Sequence, residues 1–270
     1  FTTMAKLDGN FGFNGPLGNV SAYKMRGVEG TIMRRKGGAS KKKVKTSPGM
    51  EGTRKGNAEF GGRATAGKWI RRLLHRHTPM AGYNITGAIN ALMGPIQKLD
   101  TESQFGRRNV VISKNPWLLE GFSLNKEKGF DTIIRNPLSW SISRDTLSAR
   151  IELPALLPGI NFLTVEKHPM FRIVATLGIV PDFFYHEQWK GYYPSSRAYN
   201  ENDMQTAETD WCPVLKGSPA TTLNIQLPTP PPDQSFSLVL SIGLCFGEMR
   251  DANSIWQVKH TGAAKILGMA

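Results

Sequence analysis

The sequence predicts an α+β protein: a basic, glycine-rich N-terminal arm, a short helical hairpin, and a mainly antiparallel β-sandwich or barrel. Three observations predict it. Residues 1–76 hold 17 Lys and Arg against 4 Asp and Glu, a net of +13, whereas residues 77–270 hold 17 of each and balance to zero. Two stretches between 63 and 100 place apolar residues at helical spacing. From about residue 105, short β-branched and aromatic runs alternate with turn residues. The expected divisions are residues 1–60, 61–104 and 105–270.

In the arm, Gly9, Gly12, Gly15 and Gly18 fall every third residue, with Phe11 and Phe13 between them. The period is too short-lived for collagen, and proline is scarce. "NVSAYKM" and "GTIMRR" predict two short strands around a Val28-Glu29-Gly30 turn. Residues 34–58 are poor in large apolar side chains and rich in Gly, Ser and Lys, which predicts an extended or disordered basic segment.

Two helices are expected next. Over 63–76, Trp69, Ile70, Leu73 and Leu74 form one stripe, and Pro79 stops the helix. Over 84–100, Ile85, Ile89, Leu92 and Met93 form a second stripe. Pro95 is expected to kink or end it, leaving Ile96 and Leu99 to cover a final turn. The pair reads as a helical hairpin. The expected strands of the body are 109–113, 131–135, 139–143, 148–153, 171–180, 221–227, 235–247 and 255–260. "SFSLVLSIG" alternates, with Phe236, Leu238, Leu240 and Ile242 on one face, as in a strand buried on one side. Residues 184–216 read as a long loop that either carries function, contacts a partner or covers a sheet edge.

Composition excludes several classes. At 270 residues and 40% hydrophobic, the chain can bury a core without disulfides or metals. Cys212 and Cys245 make no disulfide framework and read as small buried apolar groups, which suits a reducing compartment. No run approaches the ~20 apolar residues that cross a bilayer, so no membrane span is expected. The N-terminus lacks the apolar region of a secretion signal, and Met4-Ala5-Lys6 reads as a translation start. The expected location is the cytoplasm or an assembled particle.

Catalytic motifs fail one by one. Gly62–Lys68 matches seven positions of a phosphate-binding loop, but Trp69 stands where Ser or Thr would hold magnesium, and no buried strand precedes it. His186-Glu187 begins a zinc-protease pattern, but Lys190 occupies the place of the second histidine. His75 and His77 would point to different helix faces and read as helix-end groups beside a basic stripe. There is no G-x-S-x-G elbow, and the carboxylates are scattered. No catalytic residue, metal ligand or cofactor is assigned, and the chain reads as a non-enzyme.

The cations are the strongest signal. A mobile run of Lys and Arg neutralises phosphates without reading sequence. Arg34, Arg35, Lys36, Lys41, Lys42, Lys43 and Lys45 are the expected first contacts. Arg54, Lys55, Arg63, Lys68, Arg71, Arg72 and Arg76 would extend the strip onto the first helix. Tyr23 and Trp69 are the candidates for stacking on bases, with a place in the core as the alternative for each. A solubilising tail, or one that pairs with an acidic protein face, is the competing explanation.

Residues Gly9–Lys36, "GNFGFNGPLGNVSAYKMRGVEGTIMRRK", carry a resemblance. Gly12, Phe13, Gly15, Gly18, Val20, Tyr23 and Gly27 fit a Gly-Phe-x-Gly-x-x-Gly-x-Val run followed by an aromatic and a short basic strand. The segment resembles the opening of a family of basic Bacteroidetes proteins, a domain of unknown function. That family continues with a Pro/Thr/Ala/Gln-rich helix start, where this chain has "SKKKVKTSPGM". The resemblance implies a bacterial or bacteriophage-like source. It carries no functional residue, because the family has no assigned activity. The functional expectation is a self-assembling structural protein, a homo-oligomer forming a particle, tube or filament. Its arm would reach nucleic acid or a neighbouring subunit. The alternatives are a monomeric RNA- or DNA-binding module, and an enzyme with a dispersed site.

Overall fold

The computed structural model describes residues 5–7, 14–25, 28–163, 167–251 and 254–270. The repeat positions Gly9 and Gly12, together with Phe11, Phe13, Gly27 and Met4, lie outside the described residues. The chain divides into two units, Phe1–Arg54 and Lys55–Ala270. About 24% of the structure is helical and 36% is strand, arranged in several antiparallel sheets.

In the first unit, β1 (Ala5–Leu7), β2 (Gly15–Leu17), β3 (Val20–Tyr23) and β4 (Thr31–Arg35) form an antiparallel sheet in the order β1-β4-β3-β2. Leu17 pairs with Val20, so Gly18 and Asn19 make a two-residue turn, and Gly18 takes the positive φ (+55°) such a turn demands. Ala22 in β3 and Thr31 and Ile32 in β4 are buried, whereas Arg34 and Arg35 are exposed.

The expected extended segment at 34–58 is extended only as far as Ser40. It forms α1 (Lys41–Thr46), a 3-10 turn (Pro48–Met50) and the start of α2 (Glu51–Leu73). Ser40 starts α1, its hydroxyl accepting from the Lys43 amide at 3.2 Å. Arg54 Nη1 then donates to the carbonyls of Val44 (2.9 Å) and Ser47 (2.8 Å), satisfying the frayed end of α1.

In the second unit, α2 buries Ala66, Trp69, Ile70 and Leu73, and a 3-10 segment (Leu74–Met80) follows. Pro79 lies inside that segment instead of ending the helix. The second helix, α3 (Ile85–Lys98), is capped by the Asn84 side chain, which accepts from the Thr86 amide at 3.0 Å. Pro95 does not end α3. The carbonyl it deprives, that of Ala91, is on the exposed side, where water can replace the lost bond. Leu99, expected to cover the last turn, is exposed, and Ile96 alone is buried. Arg63 contacts Gln97 and Arg71 contacts Asn90, so the two helices run antiparallel.

Residues 131–135 are not a strand. Phe130 and Ile133 sit one turn apart in the short helix α4 (Phe130–Ile133), and both are buried. Residues 109–113 contribute only a single bridge, Val110 to Phe183. The strands are β5 (Ser139–Ser143), β6 (Ser148–Leu153), β7 (Met170–Pro181), β8 (Phe183–His186), β9 (Gly191–Pro194), β10 (Met204–Glu208), β11 (Cys212–Pro213), β12 (Thr221–Gln226), β13 (Phe236–Asp251), β14 (Ser254–Gln257) and β15 (Ala263–Met269). The supposed loop at 184–216 therefore holds β9, β10, β11 and most of β8.

The main sheet has the order β10-β7-β13-β14, with β15 also on β13 and β11 on β7. A second sheet has the order β12-β6-β5, and β8 and β9 form a hairpin. Along β13 the alternation is as expected, but both faces are buried over Phe236–Gly247. A Cβ on Gly243 would meet Met80 Sδ at 2.6 Å and His77 Cδ2 at 2.7 Å, so the small residues face the 3-10 segment. The large residues face the second sheet: Arg144 lies 4.0 Å over the Phe236 ring, and Gly268, paired with Leu240, abuts the Trp140 ring. Serine and glycine mark a helix-covered face here, not a wet one.

Candidate polyanion interface

Arg34 and Arg35 close β4, in register with Ser21 and Val20. The Arg34 guanidinium sits 5.6 Å from the Tyr23 ring centroid. Lys36 is fixed by its amide bond to the Asn19 carbonyl (2.6 Å) and by Nζ donating to the Gly18 carbonyl (3.1 Å). After the turn, α1 buries no residue at all. Its Lys41, Lys42, Lys43 and Lys45 are exposed and pair with no carboxylate among the described residues. The sheet end and α1 thus present seven exposed cations within one unit.

The cations of α2 behave differently. Arg54 is spent on the carbonyls of Val44 and Ser47. Lys55 is exposed at the start of the second unit. Arg63 donates to Gln97 Oε1 at 2.7 Å and to Glu59 at 3.4 Å. Arg71 is held by Asn90 Oδ1 at 2.9 Å, and burial lowers its pKa. Lys68, Arg72 and Arg76, spaced four apart, face the segment leading into β10 and the end of that strand. Lys68 meets Glu201 at 2.5 Å, Arg72 donates twice to Asn202, and Arg76 pairs with Glu208. In the helical half of the expected strip, Arg54, Arg63, Lys68, Arg71, Arg72 and Arg76 are thus engaged within the chain, and for Lys68, Arg72 and Arg76 partners about 130 residues away in sequence supply the acceptors.

Glu59 anchors this polar interior. It is buried and accepts from Arg108 at 2.6 and 2.7 Å and from the Gly106 amide at 3.0 Å. Burial alone would raise its pKa, but the Arg108 and Gly106 hydrogen bonds and the charges of Arg108 and Arg63 outweigh that and hold it low.

Tyr23 is half-buried beside Arg34. Trp69 is only 9% exposed and packs edge-on against Phe183 at 6.0 Å, so it is a core residue and not a platform for bases. The Gly62–Lys68 match lies in the middle of α2, where Gly62 and Gly67 serve close packing against Tyr192 and Asn90. His75 is exposed. His77 is fully buried, its Nε2 3.3 Å from the Val174 carbonyl and its Nδ1 without a partner. Burial is the main cause that takes its pKa down to about 4. Cys245 is buried and Cys212 only partly so, and burial raises both thiols. Among the described residues no group of three His, Cys, Asp or Glu side chains is arranged to hold a metal. No helix there is long and apolar enough to cross a membrane.

One cluster escaped the sequence reading. At the β8–β9 hairpin, Trp189 and Tyr193 are exposed by 43% and 42%, with Arg197 lying 4.6 Å over the Trp189 ring. The signal was present: "FFYHEQWKGYY" interleaves aromatic and charged residues, but without Asn-Gly or Asp-Gly to announce a turn.

No family model matches the chain, and neither a curated protein nor a solved structure matches it. The resemblance carried by Gly9–Lys36 rests on those residues alone.

Proposed function

We propose that this protein is a non-enzymatic assembly protein. Its N-terminal unit grips the phosphates of a nucleic acid, or failing that an acidic face on a neighbouring subunit. Its sandwich-like β body supplies the building block. The observation that carries this reading is the exposed α1: four lysines on a helix that buries nothing have no structural task in the fold. Such a surface attracts polyanions by releasing their counterions, whatever the base sequence. Assembly is supported by the far end of the main sheet. Among the described residues, β13 pairs beyond Gly247 with β14 alone, and this ribbon exposes Met249 and Trp256, each 59% accessible. Exposed apolar side chains at a sheet end suit contact with another subunit.

A salt titration of nucleic-acid binding, read beside light scattering, tests both halves. Replacing Lys41, Lys42, Lys43 and Lys45 by Gln should make the log–log salt slope shallower by about 3 while the far-ultraviolet circular dichroism stays unchanged. A salt-independent affinity would refute the phosphate grip. A strict monomer at high concentration, with and without nucleic acid, would refute assembly and leave the monomeric binding module in its place.

A further inference from the structure

The β8–β9 hairpin presents an aromatic surface that the fold does not use. Tyr185 and Tyr192 pair across the strands on the inner face, where Tyr192 packs on Gly62 of α2. The side chains of His186 and Tyr193 belong to the opposite face, because strand residues alternate. There His186 stacks on Trp189 with ring centroids 5.0 Å apart, and Tyr193 stands edge-on to both, at 5.8 and 5.3 Å. The cluster is sealed well enough that His186 Nε2 is shielded from water without a hydrogen-bond partner. Trp189 and Tyr193 nevertheless keep 43% and 42% of their surface exposed, with Arg197 lying over part of the Trp189 ring.

Charge decides what such a surface would accept. Arg197 covers the Trp189 ring and pairs with no carboxylate among the described residues; the same holds for Lys190 at the turn, held at φ +46°. The one acid at the tip, Glu187, is taken by Arg107 at 2.5 Å, and Arg107 also lies 6.0 Å over Tyr185. A sugar-binding platform needs carboxylate or amide acceptors for hydroxyl groups; the tip's carboxylate is paired and its amide is the exposed Gln188, whereas two cations border the rings. Partly exposed rings flanked by cations suit a planar base joined to a phosphate, where stacking and cation–π attraction act together.

We propose that Trp189 and Tyr193, with Arg197 and Lys190, form a base-stacking site for single-stranded nucleic acid, distinct from the phosphate-gripping cations of the first unit. The inference rests on the nucleic-acid reading above, and it adds that the protein distinguishes bases from bare backbone.

The test uses the full chain and two single-stranded probes of equal length and charge, oligothymidylate and an abasic phosphodiester. The wild type should bind the base-bearing strand about tenfold more tightly than the abasic one. W189A/Y193A should erase that preference and leave abasic binding unchanged, while W189F, which keeps a ring, should retain most of it. R197Q, at an exposed position that leaves the rings intact, should reduce the preference several-fold even if the double variant fails to fold. Equal wild-type affinity for both probes, with the usual fall in salt, overturns this site and leaves the phosphate grip standing. Failure to bind either probe at low salt removes the nucleic-acid reading and this inference with it. Loss of binding to a neutral oligosaccharide in W189A/Y193A, with no base preference in the wild type, would assign the rings to sugar instead and likewise overturn the proposal.

Discussion

Two adjacent glycines in α2 should respond differently to the same substitution. Gly61 and Gly62 both sit inside the helix, where replacing glycine by alanine contributes about 1 kcal/mol of intrinsic helix stability. That gain is common to both. Their surroundings differ: a Cβ on Gly61 would meet nothing within 4 Å, whereas one on Gly62 would stand 2.8 Å from three ring carbons of Tyr192. Tyr192 cannot easily retreat. It is buried, it packs edge-on against Tyr185 at 5.3 Å, and its hydroxyl accepts from Gln97 Nε2 at 3.3 Å. Forcing a methyl into such a contact costs about 1–3 kcal/mol. Gly61→Ala should therefore stabilise by about 1 kcal/mol, and Gly62→Ala should range from neutral to about 2 kcal/mol destabilising. The difference between the two, about 1–3 kcal/mol, is the informative quantity, because helix propensity cancels from it. Urea unfolding followed by circular dichroism measures both midpoints. Equal stabilisation by the two alanines would refute the packing of α2 against β9, and with it the account of why a glycine-rich segment is helical.

Other consequences concern buried ionisable groups. His77 titrates near 6.5 when unfolded but only near 4 in the fold, so the unfolded chain takes up its proton first. Stability is then complete above pH 6.5, falls by about 3 kcal/mol between 6.5 and 4, and levels off below; a His77→Leu variant should lack that component when the two urea midpoints are compared across pH. Glu59→Gln should cost about 2–3 kcal/mol, less than for a fully enclosed pair because Arg63 and Arg108 keep some access to water. A change below 0.5 kcal/mol by chemical denaturation would show that Glu59 does not anchor those arginines.

Legibility in the sequence followed the range of the forces involved. The strands at 139–143 and 148–153 announce themselves because their period-2 pattern is local. The strand β15 did not, since "AAKILGM" has helix-forming composition. It becomes a strand only because β13 offers a ladder from Val239 to Leu244 and the 119–124 loop bonds its other edge. The start of α2 was misread for the converse reason. Gly52, Gly56, Gly61 and Gly62 argue against a helix there; of these, Gly62 is required by a close contact with Tyr192 that no local pattern reveals, whereas the other three meet nothing within 4 Å.

The same distinction governs the cations. A charge count along the chain treats Lys43 and Arg76 as equivalents, and in the unfolded chain they are. Folding brings Glu201, Asn202 and Glu208 alongside Lys68, Arg72 and Arg76, and converts half of an apparent binding strip into internal scaffolding. Among the described residues no carboxylate pairs with the lysines of α1, and exposed, unpaired cations are the ones from which a polyanion gains most by releasing its counterions. Pairing, not burial, separates these like charges, since Lys68 and Arg76 keep 61% and 51% of their side-chain surface exposed, and the cations left without a carboxylate are the ones to test first for binding.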